Sequence, residues 1–199
     1  MVNKKIMLEN LKEYHVLLAS KSPRRRELLT QLRVPFNVVT IGGIDESYPA
    51  DIPPMEVPVY IAGKKADAYL NMLRSNELII TADTVVVLDD RIMGKPKDAD
   101  EAIEMLLALS GKTHKVVSGV CIMNKRRRTM FSTVTSVKFG NITEEEARYY
   151  VENYLPFDKA GAYGIQEWIG CVAVESIDGS FYNVMGLPVH QLYKELQNF

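Results

Sequence analysis

Two segments of this 199-residue chain place reactive side chains where an ordinary structural role would not put them. The first is Ser20-Lys21-Ser22-Pro23-Arg24-Arg25-Arg26. It follows the short apolar run from His15 to Ala19 and precedes Leu28, Leu29 and Leu32, so it reads as strand, tight turn and helix, with Ser22 as N-cap and Pro23 in the first helical position. A helix N-terminus offers unpaired N–H groups and roughly half a positive charge, a ready anion site. Acids suit that turn, whereas three arginines oppose the dipole and cost roughly a few tenths of a kcal/mol each unless an anion joins them. Phosphate binding by Ser20, Ser22, Arg24 and Arg25 is the reading adopted; a solvated basic turn is its rival.

The second segment is Glu77 to Leu88, ELIITADTVVVL, almost continuously apolar and β-branched, the pattern of a strand buried on both faces. Only Asp83 and Thr84 interrupt it. A carboxylate there loses solvation that a metal, a cation or a strong hydrogen-bond set must replace, so Asp83 is a candidate metal ligand or general base. A structural Asp bonded to backbone amides is the plain alternative. The neighbouring Thr84 and the Gly94-Lys95-Pro96 turn favour function, because α/β sites assemble at strand ends and the turns after them.

Lys65, on an expected helix, and Lys95, held extended by Pro96, would neutralise a triphosphate together with the arginines. Asp45-Glu46, in a Gly/Pro/Asp-rich loop from Gly42 to Pro54, adds hard oxygen ligands suited to Mg²⁺ or Mn²⁺. Two lures fail on context. Gly111-Lys112-Thr113 ends like a P-loop but follows a helix and lacks the preceding glycine, and Lys125-Arg126-Arg127-Arg128 carries no interleaved aromatic for nucleic acid.

The elements that must position these groups follow from period and punctuation. Strands are expected at His15 to Ala19, Val34 to Thr40, Glu77 to Leu88, Lys115 to Met123, Thr129 to Phe139 and Cys171 to Ile177. Helices are expected from Arg24 to Leu32, Glu56 to Arg74, after the Asp98/Glu101 capping box, from the Thr143/Glu146 capping box to Tyr154, and from Leu187 to Leu196. Loose alternation with one antiparallel pair predicts a single α/β domain around a mixed sheet, with residues 1–14 as an N-terminal extension. No G-x-G-x-x-G follows the first strand, which argues against a strict doubly wound nucleotide fold.

Lys plus Arg (24) nearly balance Asp plus Glu (25), so no global field draws the chain to nucleic acid or an anionic membrane. Without a signal-peptide or membrane-length apolar run, a soluble, cytoplasmic protein is expected. Cys121 and Cys171, each inside an apolar run, are expected to be buried, and the scattered histidines argue against a zinc site.

Taken together, LLASKSPRRRELL (17–29), DESYP (45–49), KKA (64–66), ADTVVVLDDRIMGKP (82–96), GKTHKVVSGV (111–120), DKAGAYGIQ (158–166) and NVMGLP (183–188) resemble the Maf family of nucleotide pyrophosphatases. The order and spacing of these segments, spread from about residue 15 to 197, make the resemblance specific. It implies an inosine-triphosphatase-like α/β fold, an elongated mixed sheet with flanking helices and two lobes around a nucleotide cleft. By the same resemblance Asp83 would be the proton acceptor that activates water. Arg24 and Arg25, with Ser20 and Ser22, would hold phosphates; Lys65 and Lys95 would stabilise the departing pyrophosphate; Glu46, with Asp83 as a candidate second ligand, would engage a divalent metal.

Within the family the segment DKAGAYGIQ resembles the branch acting on dTTP and UTP, with Arg24, Thr84 and Gln166 at its specificity positions. An amide both donates and accepts, which suits Gln166 to the O4 and N3–H edge of uracil or thymine. The rival readings are a 7-methyl-GTP pyrophosphatase and a non-catalytic nucleotide-binding regulator of septation. A nucleic-acid module is disfavoured by the charge balance, and homodimer formation is left open.

Overall fold

A computed structural model of the chain describes residues 8–199. The first half holds β1 (His15–Leu18), α1 (Pro23–Gln31), β2 (Phe36–Val38), α2 (Val57–Asp67), β3 (Glu77–Leu88), β4 (Arg91–Met93) and α3 (Ala99–Leu109). The second half holds β5 (Thr113–Met123), β6 (Arg128–Phe139), α4 (Glu144–Tyr154), α5 (Trp168–Ala173), β7 (Val174–Asp178), α6 (Phe181–Met185) and α7 (Val189–Gln197). The strands form one mixed seven-stranded sheet in the order β2-β1-β3-β5-β6-β7, with β4 also paired to β3. Pairing is parallel among β1, β2 and β3 and antiparallel elsewhere.

Both faces of β3 are covered, which accounts for its unbroken apolar sequence. Leu78, Ile80, Ala82 and Val86 join the main core under α3, α4 and α7, while Ile79 packs with Leu17, Ala62, Ala66 and Cys121 beneath α2. Alternation with a period of two therefore puts Asp83 on the α2 face and Thr84 on the main-core face.

α2 seats unusually close to the sheet. Gly119 stands opposite Asp83 in the β3–β5 register, and a Cβ there would lie 2.1 Å from the backbone N of Val59. Thr81 Oγ1 donates to Ala62 O at 2.6 Å, tying the same helix to β3.

One edge of β3 is interrupted. β1 accompanies it only as far as Leu18 opposite Ile80, and β4 joins the same edge at Met93 opposite Val86, while β5 runs along the other edge. Among the described residues, 81–85 thus have no strand on one side. The chain leaving β1 opens α1 at this gap, and the chain leaving β4 passes through Gly94 and Lys95 beside it.

Several expectations are corrected. The apolar run at Cys171 ends a helix, since α5 takes Trp168–Ala173 and only then does β7 begin. Cys171 is exposed; Cys121 is buried, and burial pushes its thiol up to about 11. α2 stops at Asp67, not Arg74, and β2 is limited to Phe36–Val38. α7 starts at Val189, not Leu187, and β4 and α6 were not anticipated. At α3 the capping box is half made: Asp98 accepts from Glu101 N, but Glu101 accepts from Lys97 N and not from Asp98. The box at Thr143 and Glu146 is complete. Of the N-terminal extension, residues 1–7 lie outside the described residues; Leu8 and Leu11 are buried in the main core, and Asn10 Nδ2 donates to Leu196 O.

His114 gives the core a pH dependence. It is 1% exposed, edge-on to Phe139 and Tyr163, with Nε2 2.8 Å from Tyr163 Oη and Nδ1 without a partner among the described residues. Burial pushes it down to about 4, so it stays neutral where the unfolded chain would take up a proton. Its contribution is complete above the ordinary histidine value of about 6.5 and declines as pH falls from there towards 4, a loss of about 3 kcal/mol. Urea unfolding at pH 7 and pH 4 should show this decrement in the wild type and its absence in His114→Gln; equal decrements would refute it.

Candidate active site

The interrupted edge of β3 opens into a cleft of about 460 Å³. Every candidate site residue from the sequence except Asp45 lines it: Ser20, Ser22, Arg24 and Arg25 on one wall, Glu46 and Lys65 on another, Asp83 and Thr84 on the floor, and Lys95 and Gln166 at the rim.

On the α2 face, Lys65 Nζ lies 2.8 Å from Asp83 Oδ1 and 3.1 Å from Glu46 Oε2. Asp83 Oδ2 has no protein donor among the described residues. The loop that carries Glu46 is moored through Lys64, whose Nζ donates to Asp45 Oδ2 at 2.9 Å and to Ser47 O at 2.8 Å. The hydrogen bond from Lys64, then those from Ser47, hold Asp45 well below the usual carboxylate range. Asp45 therefore orders the loop and does not line the cleft.

On the opposite wall Ser22 caps α1 by accepting from Arg25 N, while Ser20 Oγ accepts from Ser22 N at 3.2 Å. Arg25 turns inward across the gap, its Nε, Nη1 and Nη2 donating to Gly186 O, Ala82 O and Thr84 Oγ1 at 2.8, 2.9 and 3.0 Å. Burial holds its guanidinium below the ordinary arginine value, against the raising effect of the Asp83 charge. It remains a cation, yet no carboxylate pairs with it among the described residues. Thr84 passes the network on: its Oγ1 is 2.8 Å from Ser118 Oγ, which donates to Asn183 O.

Arg24 takes a different partner. Its Nη1 donates to Asp158 Oδ2 at 2.6 Å and its Nη2 to Asp158 O at 3.3 Å. Lys159, 7% exposed, holds the other Asp158 oxygen at 2.9 Å and reaches Glu167 at 3.2 Å. Burial alone would raise Asp158, but the hydrogen bonds from Lys159 and Arg24 prevail and keep it low.

Asp158, Lys159 and Gly186 line the cleft and Ser118 backs Thr84 from the core, and none of the four was among the expected residues. Lys159 carried a signal, a charge followed at once by the small residues Ala160, Gly161 and Ala162. Ser118 carried none, being one hydroxyl in a run of valines.

The model of the family described as Maf-like protein matches residues 15–199. The chain belongs to the Maf family. A protein from Parabacteroides distasonis called dTTP/UTP pyrophosphatase is 55% identical over 97% of this chain and 100% of that protein. One of the same name from Bacteroides thetaiotaomicron is 52% identical over 96% of this chain and 99% of that protein. Among solved structures, a HAM1 protein from Coxiella burnetii aligns with 94% of this Maf-family chain and 100% of its own at 15% identity, with a TM-score of 0.49. Among the described residues no helix is long and apolar enough to cross a membrane.

Proposed function

We propose that this chain hydrolyses dTTP and UTP between the α- and β-phosphates, releasing the monophosphate and pyrophosphate; its relatives carry the name dTTP/UTP pyrophosphatase. One observation carries the chemistry: among the described residues a recessed guanidinium with no acid partner, Arg25, shares a cleft with a carboxylate that has one oxygen free, Asp83. An unpaired cation away from bulk water calls for an anion, and a polyphosphate supplies one. No observation favours a 7-methylated guanine nucleotide or a regulator without turnover.

In this reading Asp83 accepts the proton of a water that attacks the α-phosphorus, through the oxygen Lys65 leaves open. Lys65 fixes the carboxylate by its bond to Oδ1. Arg24, Arg25 and the hydroxyls of Ser20 and Ser22 hold phosphate oxygens, while Lys65 and Lys95 offset the charge that builds on the departing pyrophosphate. Thr84 steadies Arg25, and Gln166 faces the O4 and N3–H edge of the base.

Asp83 and Glu46 converge on one ammonium. They are hard oxygen donors of the kind that hold Mg²⁺ or Mn²⁺ with one or two carboxylates and otherwise phosphate and water. No group of three His, Cys, Asp or Glu converges among the described residues, which suits that mode and not an all-protein cage. A divalent ion held by Glu46 and Asp83 would neutralise phosphate charge and polarise the P–O bonds. Acting on free nucleotides, the enzyme would work in the cytoplasm.

The test is a panel of nucleoside triphosphates with Mg²⁺, with Mn²⁺ and with chelator, scored for monophosphate and pyrophosphate. dTTP and UTP should lead, chelator should abolish turnover, and Gln166→Glu should lower the preference for dTTP over 7-methyl-GTP about tenfold by removing an amide donor from the base edge. Release of orthophosphate, or an unchanged preference in the variant, would contradict the assignments.

A further inference from the structure

Tyr150 lies outside the cleft, fully buried on α4. Its hydroxyl nevertheless grips the loop that carries Gln166 on both sides of that residue. Gly164 N donates to Tyr150 Oη at 3.0 Å, and Tyr150 Oη donates to Glu167 Oε2 in a short contact. The other oxygen of Glu167 meets Lys159 Nζ at 3.2 Å. Space is tight as well, since a Cβ on Gly164 would stand 2.9 Å from Gln166 Nε2 and 2.9 Å from the Glu167 carboxyl carbon. Gln166 itself is exposed, without a hydrogen bond to hold its amide among the described residues. Its aim therefore depends on the pinned backbone at 164 and 167.

We propose that Tyr150 is a positioning residue for base selection: its hydroxyl fixes the segment from Gly164 to Glu167 so that the Gln166 amide meets the pyrimidine edge in one orientation. The inference rests on the dTTP/UTP reading above and adds a residue that touches no substrate. Its bonds are directional and its ring is locked in the core, so the constraint transmitted to residue 166 is angular. Burial, with the hydrogen bond to Glu167 and its charge, pushes the phenol well up, and the hydroxyl stays a donor throughout the working pH range. Asp158 and Lys159 extend the chain of contacts to Arg24, so the phosphate end and the base end share one frame.

Tyr150→Phe removes the hydroxyl and little else, leaving Gly164 N and one Glu167 oxygen without partners. The ratio of kcat/KM for dTTP to that for dCTP should fall about fivefold, mostly through KM for dTTP. Inhibition by inorganic tripolyphosphate, which has no base, should stay within about twofold, as should kcat for dTTP. Glu167→Gln, which keeps an acceptor for the hydroxyl, should hold most of the discrimination. A merely structural role would lower melting temperature and weaken all nucleotides in proportion, so an unchanged dTTP-to-dCTP ratio in Tyr150→Phe overturns the proposal. Gln166→Ala separates this from the reading beneath it: if that change leaves the ratio untouched, both the base assignment and its positioning fall. If it collapses the ratio while Tyr150→Phe does not, only the positioning falls.

Discussion

Asp83→Asn lowers kcat for dTTP by at least about 10²-fold while KM changes by no more than a few-fold. The substitution keeps the volume and the oxygen that meets Lys65 at 2.8 Å, but removes the basic oxygen that has no protein donor. Binding groups on the opposite wall, Arg25 and the α1 turn, are untouched, so the nucleotide should still be held. Steady-state kinetics together with calorimetric binding of dTTP decide the matter: comparable losses in affinity and kcat would make Asp83 a binding group, and retained turnover would remove it from the mechanism. Because a carbonyl is a poorer partner for an ammonium than a carboxylate, a modest part of the loss should reflect a looser Lys65.

Gly119→Ala should cost about 4 kcal/mol of folding stability and abolish hydrolysis in whatever folds, a large effect for one methyl group. The added carbon would meet Val59 N at 2.1 Å and Pro58 C at 2.3 Å. These are backbone atoms of α2 and cannot rotate away, so the helix must lift. As it lifts, the Thr81–Ala62 bond stretches and Lys65 withdraws from Asp83. Urea unfolding of this variant beside Gly42→Ala, where a Cβ meets nothing within 4 Å, separates the clash from the loss of glycine flexibility. Equal midpoints for the two variants would mean that α2 is not seated on β5 at this point.

The parts of the site that could be read from the chain were those that violate a local preference. Asp83 stood out because desolvation is costly within an apolar strand, and the arginines because they oppose a helix dipole. Both signals are short-range, and both segments line the cleft. The α5–β7 boundary was illegible for the converse reason: Cys171-Val172-Ala173 is equally apolar as helix or strand. A backbone contact five residues back bears on it too, since a Cβ at Gly170 would stand 1.8 Å from Ile165 O, and periodicity carries no trace of that approach. The pairing of Arg24 with Asp158 spans 134 positions and leaves no periodicity to find. Tyr150 fits a helical apolar stripe so well that its hydroxyl is invisible until Gly164 and Glu167 are seen beside it.

Asp83 and Thr84, adjacent in β3, face opposite sides of the sheet, one towards Lys65 and the other towards Arg25 and Ser118. Inserting or deleting a single residue upstream within the strand would exchange the two, turning the acid into the core and the hydroxyl towards α2. Descendants of this gene can therefore vary the site by point replacement but have no route through a one-codon length change in β3. Downstream the two-residue turn Asp89-Asp90, with both φ angles positive, fixes the β3–β4 register, which leaves the stretch 68–76 ahead of β3 as the place for length variation.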